Sequence, residues 1–124
     1  MIRVKRAYLP AEAGDGLRVL VDRRWPRGVR KEKARLDGWA KELAPSEALR
    51  KWFGHDPGKW PGFKRRYSRQ LGAPKEALKP LLAAARKGTV TLVFGAKDED
   101  RNNAVVLKAC LEGLLKKKGR PAKK

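Results

Sequence analysis

The sequence predicts an α/β fold in which a small, mostly parallel three-stranded sheet is packed by several helices. Three short segments have the pattern of strands, at residues 2–7, 17–22 and 88–96. The chain between and after them has the apolar spacing of helices, and strands that are separated by helices are typical of this class. A chain of 124 residues is long enough for one domain with one modest core.

The three predicted strands differ in their expected burial and orientation. Residues 2–7 alternate apolar and basic side chains, as a half-exposed strand does, whereas 17–22 and 88–96 are more continuously apolar. We expect the second and third strands to be parallel because several helices join them. The first two strands are only about ten residues apart, which is short for a parallel crossover and leaves an antiparallel pairing open.

Five helical segments are predicted from apolar spacing, caps and breakers. They cover residues 36–43, 46–53, 57–71, 74–87 and 100–117. Ser46 and Asp56 are expected to be N-caps, Gly54 is a C-terminal stop, and Pro80 should kink or divide its helix. Apolar stripes predict the buried faces of the third and fifth segments: Trp60, Phe63, Tyr67 and Leu71, then Val106, Leu107, Cys110, Leu111 and Leu114.

Charge is the most unusual feature of the composition. Lys and Arg number 32 against 13 Asp and Glu, which gives a formal net charge of +19. Residues 116–124 hold six of these positive charges, so the first 115 residues still carry +13. The positive electrostatic potential of so basic a protein attracts polyanions but does not select one kind of polyanion over another. An organism with generally basic proteins would show the same composition, so nucleic-acid contact is supported only weakly.

The domain organisation is simple. We expect a single α/β domain at residues 1–117 and a basic disordered tail at 118–124, where Gly, Pro and Lys dominate. No stretch approaches the roughly 20 apolar residues of a membrane span, and the N-terminus lacks a signal-peptide core, so we expect a cytoplasmic protein without membrane contact. The single cysteine excludes an internal disulfide and any cysteine-rich zinc site. No cofactor is expected.

Three blocks of sequence carry a family resemblance. They are VLVDRRWPRG at 19–28, KELAPSEALRKWFGHDPGKWPGFKRRY at 41–67 and TLVFGAKDEDRNNAVVL at 91–107. In this order they resemble the YeaO-like branch of the domain of unknown function 488 family, over about residues 2–115. The resemblance implies a compact bacterial-type α/β domain and a parallel first strand, but no established reaction. This chain differs from that branch in its more basic surface and its tail.

The candidate ligand site lies where the strands end, because ligands of open α/β sheets bind at the carboxyl ends of the strands. The second strand leads into VDRRWPRG, and the third leads into GAKDED and the last helix. We expect an anion-binding pocket there, since guanidinium groups match phosphate and carboxylate. The anion-binding candidates are Arg23, Arg24, Arg27 and Lys97, and the other pocket candidates are Trp25, Asn102 and Asn103. A parallel first strand would add Arg6 and Tyr8.

Catalytic candidates are few, and whether the protein is an enzyme stays open. Asp22 and Asp98 are potential bases at the strand ends, although a carboxylate there equally suits an ion pair or a helix cap. His55 is the only histidine and is more typical of a loop beside aromatic side chains than of a base. One His, one Cys and scattered acids give no metal-ligand spacing. No metal site is therefore expected.

Three functions remain at this point. The first is binding of a small phosphate- or carboxylate-bearing ligand at the strand ends. The alternative is an accessory protein that binds nucleic acid non-specifically through its basic body and tail, where KRRYSR at 64–69 and RKEKAR at 30–35 add charge. A module that docks an acidic protein is the third. The sequence favours the small anion slightly, because the special residues cluster at one predicted pocket.

Overall fold

The computed structural model describes residues 1–119 and shows, within that range, one sheet of four parallel strands. They are β1 (Ile2–Arg6), β2 (Leu17–Leu20), β3 (Gly38–Trp39) and β4 (Val90–Phe94). Their spatial order is β1-β4-β2-β3, so β4 lies in the interior of the sheet, and all of its residues are buried. The predicted parallel α/β sheet is confirmed, and the prediction of three strands is wrong.

The orientation of β1, which the sequence left open, is parallel. β1 pairs with β4 from Ile2 opposite Val90 to Arg6 opposite Phe94, and β2 pairs with the other edge of β4. The first two strands are therefore not neighbours. The short link between them contains one turn of 3-10 helix at Ala13–Asp15. It does not form a hairpin, because β4 lies between the two strands that it connects.

The strand that the sequence did not predict, β3, replaces a predicted helix. The sequence predicted a helix over 36–43, but Gly38 and Trp39 pair with the end of β2, and only Lys41–Leu43 form a single 3-10 turn. The indole Nε1 of Trp39 donates a hydrogen bond of 2.7 Å to the carbonyl of Asp22, which holds the segment against β2. Tertiary pairing thus overrides the local helical pattern.

Five α-helices are described within residues 1–119. They are α1 (Lys31–Ala34), α2 (Glu47–Phe53), α3 (Trp60–Gln70), α4 (Lys75–Lys87) and α5 (Asn103–Gly119). No element was predicted at α1. α4 continues through Pro80 without being divided, although proline cannot donate the backbone hydrogen bond that other residues of a helix interior donate. Residues 120–124 of the predicted tail lie outside the described range.

Capping residues mark both ends of α2 and the start of the turn that leads into α3. The hydroxyl of Ser46 accepts a hydrogen bond from the backbone N–H of Leu49 at 3.1 Å, and α2 ends at Gly54 with a φ of 52°. The carboxylate of Asp56 caps a 3-10 turn at Pro57–Lys59 that leads directly into α3. These cap predictions are confirmed.

The main core lies between one face of the sheet and α2–α5. Alternate side chains of β4 (Val90, Leu92 and Phe94) point into it, as the period of a strand requires. The predicted helical stripes face the same core: Phe63, Tyr67, Leu71, Val106, Leu107 and Leu111 are buried, while Trp60, Cys110 and Leu114 are partly buried. The hydroxyl of Tyr67 donates a short hydrogen bond to the carbonyl of Leu43, and burial raises the pKa of this phenol.

A buried ion cluster lies on the opposite face of the sheet. The carboxylate of Asp15 is fully buried and accepts hydrogen bonds from Arg18 at 2.6 Å, from Lys5 at 3.1 Å and from the backbone of Glu12 at 3.1 Å. Burial alone would raise the pKa of Asp15, but these hydrogen bonds and the charge of Lys5 outweigh it and lower the pKa. The cluster fastens the first loop to β1 and β2.

Candidate functional site

A cleft of about 360 Å³ opens at the carboxyl ends of β2 and β4. Its walls come from the segment after β2, from α2 and the turn after it, from the residues after β4, and from the start of α5. The lining residues are Asp22, Arg23, Arg24, Pro45, Arg50, Lys51, Phe53, Gly54, His55, Phe63, Gly95, Ala96, Arg101, Asn102 and Asn103. Five of these side chains carry a positive charge, against one carboxylate.

The carboxylate of Asp22 joins three elements around the cleft. Its Oδ2 accepts a hydrogen bond of 2.8 Å from the backbone N–H of Gly95, just after β4. Its Oδ1 accepts one of 3.0 Å from the amide of Asn103, which also donates to the carbonyl of Val21 at 2.9 Å. Burial raises the pKa of Asp22, although these hydrogen bonds and the charges of Arg50 and His55 oppose the shift.

Two arginines on one side of the cleft converge on a single carboxylate. Arg24 donates to Glu47 Oε2 at 3.3 Å and Arg50 donates to Glu47 Oε1 at 3.1 Å. The hydrogen bond from Arg50 contributes most to the lowered pKa of Glu47. Arg23 instead donates to the carbonyl of Pro45, at 3.3 Å from its Nη2. The two ion pairs with Glu47 are exposed, so they contribute little to stability and leave both arginines accessible to another anion.

The start of α5 supplies the other side. Arg101 lines the cleft and donates to Asp98 Oδ2 at 3.3 Å, whereas Asp98 itself lies outside the lining. The pKa of Asp98 is lowered, chiefly by a hydrogen bond from the backbone of Asp100. Asn102 caps α5, because its Oδ1 accepts the backbone N–H of Val105 at 3.0 Å. Asn102, and not Asp98, is therefore the N-cap of α5.

His55 lies at the mouth of the cleft in an unusual backbone conformation. Its φ is 58°, directly after Gly54 at 52°, so two successive residues are left-handed. Residues other than glycine rarely adopt this conformation, although His, like Asn and Asp, does so more often than most. The imidazole ring is 6.1 Å from the ring of Phe53 and is exposed. His55 is thus an exposed member of the cleft lining.

Several predicted site residues lie outside the cleft lining. Trp25 packs edge-on against Trp39 at 5.6 Å and donates its indole hydrogen to the carbonyl of Val29. Arg27 is exposed, and its carbonyl accepts the hydroxyl of Tyr8 at 2.9 Å. Lys97 is exposed and is absent from the cleft.

Arg6 and Tyr8, which a parallel first strand was expected to add to the site, also lie outside the cleft. Arg6 donates to the carbonyl of Ala96 at 2.9 Å and lies 5.0 Å from the ring of Tyr8. Neither contributes to the lining of the cleft.

In the part of the chain that the structure describes, no group of three or more His, Cys, Asp or Glu side chains is placed to hold a metal ion. No helix in that part is long and apolar enough to cross a membrane.

The chain is similar to known proteins over most of its length. The family described as "Inactive DUF488-N3 subclade" (DUF488-N3i) matches residues 1–124. The chain belongs to this family. It is 42% identical to the uncharacterized protein YeaO of Escherichia coli over 113 residues, which is 91% of this chain and 98% of YeaO. It is 39% identical to uncharacterized proteins of Mycobacterium bovis and Mycobacterium tuberculosis over 112 residues, 90% of this chain and 94% of theirs. No solved structure matches it.

Sequence reasoning missed three cationic residues of the cleft in this DUF488-N3i domain. Arg50 and Lys51 were assigned only to the predicted helix at 46–53, and Arg101 only to the predicted helix at 100–117. A weak signal for the first two is their position in the last turn of α2, five and four residues before His55. Their approach to Asp22 depends on how α2 lies against the sheet, and sequence pattern does not encode that.

Proposed function

We propose that this domain binds a small phosphate- or carboxylate-bearing anion in the cleft at the strand ends. The observation that carries the proposal is the lining, in which five basic side chains surround one partly buried carboxylate. The volume of about 360 Å³ suits a metabolite-sized ligand. The position agrees with the general rule for ligands of parallel α/β sheets.

Arg24 and Arg50 form the proposed clamp. Their guanidinium groups already converge on the two carboxylate oxygens of Glu47 from different elements. A ligand carboxylate or phosphate would take the same kind of charge-assisted hydrogen bonds. Arg101 faces the ligand from the start of α5, and Asp22 retains free lone pairs for a ligand hydroxyl or amine.

Binding without turnover is the form of the function that the comparisons support. The matched family is described as an inactive subclade. Asp22 has a raised pKa but is hydrogen-bonded to Gly95 and Asn103, which suits a positioning role better than proton transfer. His55 and Asp98 are accordingly not given a catalytic step in this proposal.

Titration calorimetry with inorganic phosphate and with citrate tests the clamp. Arg24→Ala and Arg50→Ala should each weaken binding about tenfold or more, because each removes a charge-assisted hydrogen bond. Arg86→Ala is the matched control, since Arg86 is an exposed arginine of α4 outside the cleft. Equal losses in all three variants, or binding of neither probe to the unaltered protein, would show that the cleft is not an anion site.

Non-specific binding of nucleic acid is a second candidate function. The observation that favours it is the uneven distribution of acids: the first 115 residues carry +13, and no acid occurs from residue 57 to residue 75. Phosphate contact through such a surface would be steeply salt-dependent. This function and the anion cleft are compatible, because none of the basic residues between 57 and 75 lines the cleft.

A further inference from the structure

The outward face of α3 is a strip of basic side chains without acidic partners. Lys59, Lys64, Arg65, Arg66 and Arg69 are all exposed. None of them forms an ion pair with another residue of the described range 1–119. We call these five residues the α3 surface. The charge there is unneutralised along the whole helix.

Three other helices, α2, α4 and α5, each carry an ion pair between residues three or four positions apart, although α4 also has unpaired cations. Arg50 of α2 pairs with Glu47, Lys79 of α4 pairs with Glu76, and Lys108 of α5 pairs with Glu112. Such pairs at spacings of three and four residues are the usual arrangement on a solvated helix. A generally basic composition would put cations on every helix, but it does not explain why acids are missing from this one.

Aromatic rings hold part of the α3 surface in place. The guanidinium carbon of Arg66 lies 4.0 Å from the ring centroid of Trp52, and Lys59 Nζ lies 5.2 Å from it. Lys59 also donates to the carbonyl of Trp52 at 2.9 Å. Gly62 makes room, because a Cβ there would be 2.8 Å from the indole. A cation that stacks on an aromatic ring loses less freedom when it binds a phosphate.

A shallow groove runs beside this ring. It is lined by Trp52, Arg66 and Arg69 together with polar and apolar side chains of α2 and α3. Base and sugar surfaces stack on exposed indole and guanidinium planes, while phosphates take the cations beside them. A rigid duplex offers stacking surfaces only at its ends. The combination of a cationic strip with a half-buried indole and stacked guanidinium therefore favours a single strand.

We propose that the α3 surface binds single-stranded nucleic acid without sequence preference, with its cations on the phosphates and the Trp52–Arg66 stack against bases. The proposal rests on the second candidate function and assigns it to one helix. It does not involve the anion cleft, whose lining includes none of these five cations. Sequence-specific contacts are not part of it.

Fluorescence anisotropy with a labelled oligothymidine of about 20 nucleotides and a duplex of the same length tests the proposal on the full chain. The test variant is Lys64→Gln/Arg65→Gln/Arg69→Gln. The control is Lys75→Gln/Arg86→Gln/Lys87→Gln, which removes the same charge from exposed positions of α4 that are likewise unpaired among residues 1–119. Circular dichroism confirms that both variants fold.

We expect the α3 variant to bind oligothymidine at least about tenfold more weakly, with the slope of log K against log salt reduced by about 2, since each single-strand phosphate contact contributes about 0.7. The control should lose about threefold or less. Equal weakening of both variants would overturn the α3 surface while leaving non-specific binding intact. No binding by the unaltered protein would overturn both, and duplex binding as tight as single-strand binding would overturn the single-strand assignment.

Discussion

Gly95 donates its backbone N–H to the Oδ2 of Asp22 at 2.8 Å, so a side chain joins two neighbouring parallel strands just beyond their last paired residues. The space is limited, because a Cβ at residue 95 would lie 3.2 Å from that oxygen. Asn103 closes the arrangement from α5 at 3.0 Å. The floor of the cleft is therefore a fixed polar junction, and the cations above it are the parts free to engage a ligand.

Asp22→Asn is expected to reveal the raised pKa of this carboxyl. The folded state binds the proton of Asp22 more readily than the unfolded state does. Its contribution to stability is thus complete below the unfolded pKa and is lost as the pH rises through the folded pKa. Urea unfolding at several pH values should show the stability of the unaltered protein, relative to Asp22→Asn, falling as the pH rises above the ordinary Asp pKa of about 3.9. A constant difference would contradict the shift.

Asp15→Asn should give the opposite pH dependence. Hydrogen bonds from Arg18 and Lys5 lower the pKa of Asp15, so its contribution is present above the unfolded pKa and is lost as the pH falls through the folded pKa. The substitution removes the only ion-pair partner that the buried Arg18 has among residues 1–119, whereas Lys5 keeps Glu12 at 2.7 Å. We expect the free energy of unfolding at neutral pH to fall by about 3–5 kcal/mol.

Asp98→Asn is the control for Asp15→Asn. The pKa of Asp98 is also lowered, but its contacts with Arg101 and with the backbone of Asp100 are exposed. Its effect in the same urea titrations should be far smaller. If the two variants lose similar stability, the buried cluster on the second face of the sheet does not have the role assigned to it.

Glu47→Gln should strengthen the binding of anions in the cleft. Glu47 is the internal acceptor for Arg24 and Arg50, and it competes with any ligand carboxylate or phosphate. Without its charge we expect phosphate to bind about threefold more tightly. Glu76→Gln is the matched control, because Glu76 pairs with Lys79 on α4, away from the cleft. A gain of the same size in both variants would indicate only a change in net charge.

Gly16→Ala and Gly28→Ala separate backbone strain from lack of space. Both glycines have positive φ, 64° and 80°. A Cβ at residue 16 would lie 2.1 Å from the carbonyl oxygen of Thr89, whereas one at residue 28 meets no atom within 4 Å. Thermal or urea unfolding should show a loss of about 1–2 kcal/mol for Gly28→Ala and of about 3 kcal/mol or more for Gly16→Ala. Similar losses would mean that the loop at Gly16 relaxes.

Much of the fold could be predicted from the sequence, because strand and helix periods are local. The alternation in residues 2–7, the apolar run at 88–96 and the stripe that ends at Leu71 all correspond to observed elements. The helix predicted at 36–43 failed because the pairing of Gly38 and Trp39 with β2 is a long-range contact. Local pattern favoured the wrong structure there.

The sequence indicated where in the fold a candidate site would lie, but it did not indicate all of the residues that line the cleft. Asp22, Arg23 and Arg24 follow a strand in the sequence, and all three line the cleft. Arg27, Lys97 and Trp25 lie near in sequence yet outside the lining, because the chain turns after residue 24 and Trp25 packs onto the second face of the sheet. Arg50 and Arg101 reach the cleft from elements whose docking the sequence does not specify.

The strand order also constrains how the chain comes to be folded. β4 separates β1 from β2, although it follows both by about seventy residues or more. During synthesis from the N-terminus, the first three strands leave the ribosome with only the two-residue pairing of β2 and β3 available to them. The complete sheet and the cleft can therefore form only after residues 90–94 have been synthesised and have paired with β1 and β2. Nascent chains shorter than that expose their apolar strands to whatever else is in the cell.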